Sequence, residues 1–489
     1  MHSRFSQNEE DRLSSYLVTI GCMAVLFGWC AFFSGLLRAS ESSDSLKNTH
    51  AFIHSAYYYE NSKSLGKNAL ALVMSINKLT AENILDMKIR FLATNDRLER
   101  FPVEATLTSE HDFRGSCEYV TVLAQANTID NMELLEIEGN DKVIDQVSFK
   151  KPLETSPSKV VFCVAPQLAA ENWQEFLRQV HVAKRYGAHL HIYVISMVEK
   201  YFRLMKEYES LGYISLEPWL TVKYSHVQEV YMEKPNRNIE ILQKTAAFTD
   251  CILNYKEAAE FVGSIEMEDL LIPIGSTSYY EEFEKQYGGN EFYSGLIYAR
   301  QMLFISQESE NSVSLSRIFQ KTTPGDVNSY GRSFVRTSNY NSTWLHWSRN
   351  SDRKTYHKKV EGCRMFNFRK SETINQNESE IIIDEKILGE IEGELQHHLE
   401  LPQIKAILPE LPVSEVYTTI ISKCLEQLTS RYSPETTVCM DMYKCELPIR
   451  RDLPCIHSDG QYSSTLPMKP ITFHYSSHHF FTRHLGCNI

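Results

Sequence analysis

The sequence predicts an α/β fold, a mostly parallel sheet flanked by helices, preceded by a small β-rich module and an N-terminal transmembrane helix. Three observations predict it. Between residues 160 and 290, apolar runs of strand length alternate with stretches of helical period. Residues 51–149 instead alternate apolar and polar side chains in short segments, without helical period. Residues 16–37 carry no charge and are long enough to cross a bilayer as a helix. The chain of 489 residues has room for two or three domains, and 43% hydrophobic content allows a large core. A net charge of -12 excludes a general nucleic-acid binder, which presents a basic face.

Taken in order, residues 1–15 read as a cytosolic tail and 16–37 as an uncleaved signal-anchor. A cleaved signal has an apolar region of only about 7–15 residues. Arg4 and Arg12 precede the span together with Glu9, Glu10 and Asp11, so the flanking charge is mixed. The bulk of the chain is expected outside the cytosol. Two sequons, at Asn341 and Asn377, agree with that side. Of 11 cysteines, Cys22 and Cys30 lie in the apolar span, leaving nine downstream, so several should pair and at least one should stay free. Residues 38–157 form a stem and the β-rich module, with strand character over 51–59, 88–94, 119–123 and 143–149.

Residues 158–400 carry the α/β pattern. The run 160–164 is a buried strand. A helix over 171–186 puts Trp173, Phe176, Leu177, Val180, Ala183 and Tyr186 on one face, and Gly187 stands where a cap glycine belongs. A strand over 190–195 precedes a helix that Ser196 and Glu199 would open as a capping box. A third strand at 213–217, a helix over 239–255 and a strand at 261–265 follow. Glu266, Glu268 and Asp269 come directly after that strand, and Ser278 with Glu281 gives a second capping box. In such sheets ligands bind beyond the carboxyl ends of the strands. Three carboxylates there suit a hard divalent cation; the plainer alternative is an acidic loop after a core strand. No P-loop, dinucleotide fingerprint or nucleophile elbow is present. A cation held by carboxylates at a sheet edge works with phosphate groups. In a secretory-pathway domain that points to the diphosphate of a nucleotide sugar.

Specific landmarks now add up. Cys163-Val164-Ala165-Pro166, Trp173, Tyr186-Gly187-Ala188 and Leu190-His191-Ile192-Tyr193 open the pattern. Gly212-Tyr213, Glu217-Pro218-Trp219, Gln243, Ala246 to Cys251, and Tyr255-Lys256 continue it. Phe292 to Tyr298, Gly331 to Val335 and Trp344-Leu345-His346 extend it. Together these resemble glycosyltransferase family 92, in its nematode-type form, over roughly residues 158–400. The resemblance implies a GT-A-like fold and a single-pass type II protein of the Golgi or another secretory membrane. It implies a glycosyltransferase that moves a sugar, galactose in characterised relatives, from a UDP-sugar to a glycan or glycoprotein acceptor. It also implies Mn²⁺ held by Glu266, Glu268 and Asp269, with His346 as an additional metal ligand. Asp250 and Arg369 stand at cofactor-binding positions, Arg369 for the diphosphate.

Two departures from the family pattern matter. Its Asp-x-Asp-Asp is here Glu266-Met267-Glu268-Asp269, and the longer side chains move the carboxylates by more than about an ångström, which active-site geometry tolerates poorly. Its His-Tyr-Arg is here Asn367-Phe368-Arg369. These changes leave open a second reading, a catalytically impaired relative acting as a lumenal binding or scaffold protein. No catalytic base is evident. Asp250 has the alternative of a local pairing role.

Other candidates read as structural. His397 and His398 are adjacent and do not share a helix face, so they make no joint metal site. The tail with His474, His478, His479, His484 and Cys487 reads as solvated. Cys424, Cys439, Cys445 and Cys455 read as disulfides stapling a small region over 401–489. Trp173 and Trp219 read as core.

Overall fold

The computed structural model describes residues 49–81, 83–109, 117–139, 142–224, 235–240, 243–290, 292–305, 313–343, 356–370, 383–413, 415–430, 439, 441–465 and 471–488. The expected cytosolic tail and membrane anchor, His346 and the sequon at Asn377 lie outside these residues. Among the described residues no helix is long and apolar enough to cross a membrane.

Seven strands come first: β1 (Thr49–Ser62), β2 (Gly66–Asn77), β3 (Lys88–Asn95), β4 (Arg100–Thr108), β5 (Tyr119–Asn127), β6 (Met132–Gly139) and β7 (Lys142–Gln146). Successive strand residues point to opposite faces. On β1 this sends Tyr57 and Tyr59 into the main core and Tyr58 into a second core on the other side of the sheet. Burial on both faces explains the consecutive aromatic residues Tyr57, Tyr58 and Tyr59.

The second sheet holds β8 (Val160–Gln167), β9 (Ala188–Val194), β11 (Ile214–Pro218), β12 (Phe261–Ile265), β13 (Asp269–Leu271), β14 (Tyr293–Ile305), β15 (Thr322–Arg336) and β16 (Tyr356–Lys370). Their order is β11-β9-β8-β12-β15-β14-β16-β13. The first four are parallel neighbours, whereas β15 runs antiparallel to both β12 and β14. The parallel half is therefore the part that the sequence marks by alternation of strand and helix. Helix α1 (Trp173–Arg185) lies between β8 and β9 in the chain and buries Phe176, Leu177, Val180 and Ala183. It stops as expected: Gly187 has φ +77°, which costs glycine little. Helix α2 (Glu199–Ser210) precedes β11, helix α3 (Lys244–Tyr255) precedes β12, and α4 (Tyr279–Tyr287) precedes β14. The Ser278 hydroxyl caps α4 by accepting the Glu281 N–H at 3.1 Å, and Glu281 reaches back to Thr277.

Several expectations change in three dimensions. Ser196 does not cap α2. It sits in a short strand, β10 (Ser196–Val198), accepts the Ala169 N–H and donates to the Cys487 carbonyl. After α5 (Leu315–Gln320), α6 (Glu385–Leu399), α7 (Pro402–Lys405) and α8 (Tyr417–Ser430), the chain ends in β17 (Pro454–Ser464) and β18 (Ile471–Leu485). The tail is thus not solvated coil. β18 pairs in parallel with β1 and completes a ten-stranded sheet in the order β10-β17-β18-β1-β2-β5-β4-β3-β6-β7. His474 is fully buried there. The first module and the last segment share one sheet because the paired edges satisfy backbone groups that each would otherwise expose.

Four disulfides join the described cysteines and Cys363 remains free and buried. Cys424–Cys445 and Cys455–Cys487 staple the C-terminal segment. Cys439 pairs instead with Cys117 in the N-terminal module, and Cys163–Cys251 ties β8 to α3. Asn341 is buried and its side-chain oxygen accepts the Ser64 hydroxyl, so that sequon is not an exposed acceptor in the folded chain.

Candidate active site

β8 is followed to one side by β9 and β11, while β12 lies on its other side. This is where the strand order reverses, and a crevice opens there at the carboxyl ends of parallel strands. A cleft of about 380 Å³ occupies that place. Residues 166–172, at the end of β8 and just after it, line one part of it, and Glu266, Met267 and Glu268 after β12 line another. Lys244, Arg300, Arg332 and Arg369 also reach it. Thr418, Ile421, Ser422 and Leu425 of α8 form a further wall, so the C-terminal segment helps to build the site.

The acidic loop is neutralised from several sides. Glu266 Oε1 lies 2.8 Å from Lys244 Nζ and 2.9 Å from an Arg332 terminal nitrogen. Burial alone would raise this carboxyl, but the Lys244 ammonium and the Arg332 guanidinium outweigh it and hold the group well below the usual carboxylate range. Asp269 is fully buried with both oxygens occupied. Oδ2 accepts from Arg332 Nε at 2.6 Å and from the Glu266 N–H at 3.1 Å; Oδ1 accepts from Asn367 Nδ2 at 2.8 Å, with Arg300 at 3.6 Å. Glu268 is more open and faces Arg369 at 3.4 Å. Arg332 is buried; desolvation would lower its pKa, but Asp269 and Glu266 raise it further.

The backbone aims these groups. Gly331 has φ +46°, and a Cβ there would stand 1.9 Å from the Tyr298 carbonyl oxygen. The β14–β15 register shifts beside it, between Tyr298 and Arg300. This irregularity sits next to Arg332 and Arg300, the two guanidinium groups around Asp269, as bulges beside functional sites commonly do. On β12, Gly263 leaves space for the Phe334 ring, which a Cβ would meet at 2.4 Å.

A cleft that gathers four cationic side chains beside four carboxylates, Glu171, Glu175, Glu266 and Glu268, at the edge of a parallel sheet suits a phosphate-bearing donor that brings a divalent cation with it. The family model described as glycosyltransferase family 92 matches residues 158–396. A glycosyltransferase family 92 protein of Caenorhabditis elegans is 41% identical over 476 residues, covering 91% of each chain. The chain belongs to glycosyltransferase family 92. A second family 92 protein of that nematode is 35% identical over 475 residues, covering 93% of each chain. A third is 28% identical over 521 residues, covering 97% of this chain and 99% of its own. The protein is accordingly a glycosyltransferase, an enzyme with a sugar donor and a glycan acceptor.

On this family 92 fold the expected site residues separate. Glu266, Glu268 and Arg369 come together in the cleft. Asp269 lies directly behind them as the buried centre of the ion-pair cluster. Asn367, at the position of the family's histidine, is buried and donates to Asp269. Asp250 does not line the cleft. It is buried on α3, accepts the Tyr57 hydroxyl at 2.9 Å on one oxygen and the Tyr193 hydroxyl on the other, and so ties the first module to the second sheet. Lys244, Arg300 and Arg332 were not expected. Arg332 lies within the Gly331 to Val335 landmark of the family pattern, the signal that could have found it, whereas nothing local distinguishes Lys244 and Arg300 from surface charges.

Proposed function

We propose that this enzyme transfers a hexose, galactose by family resemblance, from a UDP-sugar to a glycan acceptor, with the donor diphosphate bound in the cleft between β8 and β12. One observation carries the reading: Lys244, Arg300, Arg332 and Arg369 converge with Glu266 and Glu268 on a single cleft at the carboxyl edge of the parallel strands. Planar guanidinium groups match diphosphate oxygens in two-pronged hydrogen bonds. A divalent cation, Mn²⁺ by resemblance, fits on Glu268 and Glu266, because Asp269 has both oxygens occupied and holds the loop from behind. When bound, that cation would draw charge from the departing nucleoside diphosphate. Lys244 and Arg332 share one oxygen of Glu266 and so fix its orientation. Arg369, with its side chain 45% exposed, is held through Nε by the Asn367 side-chain oxygen at 3.0 Å, and its terminal nitrogens can exchange Glu268 for the donor. Membrane anchoring through residues 16–37, with the catalytic part in a Golgi-type lumen, accords with the four disulfides, which persist in oxidising compartments.

The test is calorimetric titration of UDP into the purified protein with Mn²⁺ and with EDTA. Mn²⁺ should tighten UDP binding, Glu268→Gln should remove that gain, and Arg369→Met should weaken binding in both conditions. Absence of UDP binding in either condition overturns the donor assignment. UDP binding that is unchanged by EDTA overturns the metal assignment alone.

A further inference from the structure

Away from the cleft, three side chains with metal-ligand chemistry meet between two helices. His181 lies on α1; Glu394 and His398 lie on α6, one turn apart and on the same face. One ligand atom from each lies within 4.8 Å of the other two. Both imidazoles are oriented from outside. His398 Nδ1 stands 2.8 Å from the Glu394 carbonyl oxygen, which only accepts, so Nδ1 carries the proton and Nε2 presents its lone pair. His181 Nε2 pairs with the Tyr208 hydroxyl at 2.9 Å. His181 Nδ1 is buried without a hydrogen-bond partner and faces Glu394 Oε2 at 3.9 Å, too far for a hydrogen bond. On His181 an outer nitrogen is held by a hydrogen bond and the inner one is left bare, as histidines are presented to metals; on His398 the inner Nε2 accepts the Tyr213 hydroxyl. His181 alone contributes a fully buried side chain; Glu394 remains 28% exposed and gives an ion a way in.

We propose that His181, Glu394 and His398 bind one zinc-like divalent cation that ties α6 to α1. Two imidazole nitrogens and one carboxylate oxygen favour Zn²⁺ over Mg²⁺ or Ca²⁺, which take oxygen ligands. Tetrahedral bonds of about 2.0–2.2 Å set ligand atoms roughly 3.4 Å apart, so the side chains close by about an ångström on binding. The Tyr213 hydroxyl, 3.0 Å from His398 Nε2 and 3.4 Å from Glu394 Oε1, yields its place to the ion, and water completes the coordination. None of the three ligands lines the donor cleft, so the site is structural and separate from the metal expected at Glu266 and Glu268. His397, adjacent but exposed, takes no part.

The experiment strips the full-length, disulfide-bonded protein with EDTA and titrates it with Zn²⁺ by calorimetry, and with Co²⁺ by visible absorption. The expected result is one tight Zn²⁺ per chain, the intense visible bands of low-coordinate Co²⁺, and a raised melting temperature. Glu394→Gln and His398→Gln should each abolish the tight ion, while His397→Gln retains it. Near-ultraviolet circular dichroism of the metal-free variants shows that they fold. No saturable ion, or a tight ion that survives both ligand substitutions, overturns the proposal; the second result would assign the ion to other histidines, such as those of β18.

Discussion

Replacing Arg332 with methionine removes the cation that holds the acidic loop from behind. Arg332 makes two short contacts, 2.6 Å to Asp269 and 2.9 Å to Glu266. Asp269 has no exposure to water, so its charge must be met by the protein. Removing one partner of a buried pair costs about 3–5 kcal/mol. Asn367 at 2.8 Å and Arg300 at 3.6 Å remain beside Asp269, and Lys244 at 2.8 Å remains on Glu266. The lower end, about 3 kcal/mol, is therefore expected, or roughly a hundredfold in the folding equilibrium. Arg369→Met is the control. Arg369 faces Glu268 at 3.4 Å with a side chain 45% exposed and donates Nε to the Asn367 side-chain oxygen at 3.0 Å, so its loss should cost about 1 kcal/mol. Denaturant unfolding followed by tryptophan fluorescence compares the two, and UDP calorimetry reads binding in the folded proteins. Arg332→Met should lower both stability and UDP affinity; Arg369→Met should lower UDP affinity alone. If Arg332→Met unfolds at the same denaturant concentration as Arg369→Met, the buried-clamp account of Arg332 is wrong.

Asp250→Ala should cost about 3 kcal/mol, from two hydrogen bonds to a buried acidic side chain, and leave UDP affinity unchanged in the folded protein; weakened UDP binding at full stability would return Asp250 to the donor site. Cys424→Ser with Cys445→Ser frees the hold on α8, and should weaken UDP binding because α8 walls the cleft; unchanged affinity would show that the helix is held by packing alone. Gly331→Ala meets the Tyr298 carbonyl and should lower the melting temperature and UDP affinity together, read by calorimetry. Burial raises the carboxyl of Glu240 to about 8 and that of Asp441 to about 8. Between their unfolded values and pH 8 the folded chain binds more protons, so stability falls as pH rises through that window, by up to about 1.4 kcal/mol per pH unit per group. Burial lowers His54 to about 3, and His189 and His357 to about 4, which removes stability as pH falls below the unfolded histidine value. Melting temperature should thus peak between about pH 6 and 7. Glu240→Gln with Asp441→Asn should flatten the alkaline limb, and an unchanged limb would count against this origin.

Much of the α/β half is visible in the chain itself. The run at 160–164, the face of α1, Gly187 and the strand before Glu266 all follow from side-chain period and backbone preference. The position of the acidic loop at a sheet edge follows from that alternation. Local chemistry also carried the Ser278 cap, whose partner is three residues away, but it failed at Ser196, where a distant carbonyl at Cys487 competes for the same hydroxyl.

Local pattern in the chain was enough to put Glu266 and Glu268 after a core strand, to expect several downstream cysteines to pair with at least one left free, and to mark the family resemblance. Tertiary structure alone decided the company of the carboxylates. Arg332, Asn367 and Arg369 reach Asp269 and Glu268 from 63, 98 and 101 residues away. It also decided that Asp250 faces two tyrosines instead of the cleft, that the tail is an interior strand, and that His398 meets His181 in place of its neighbour His397. Periodicity reports which face of an element is apolar. It does not report which opposing element covers that face, and the charge balance of a buried site depends on that second fact.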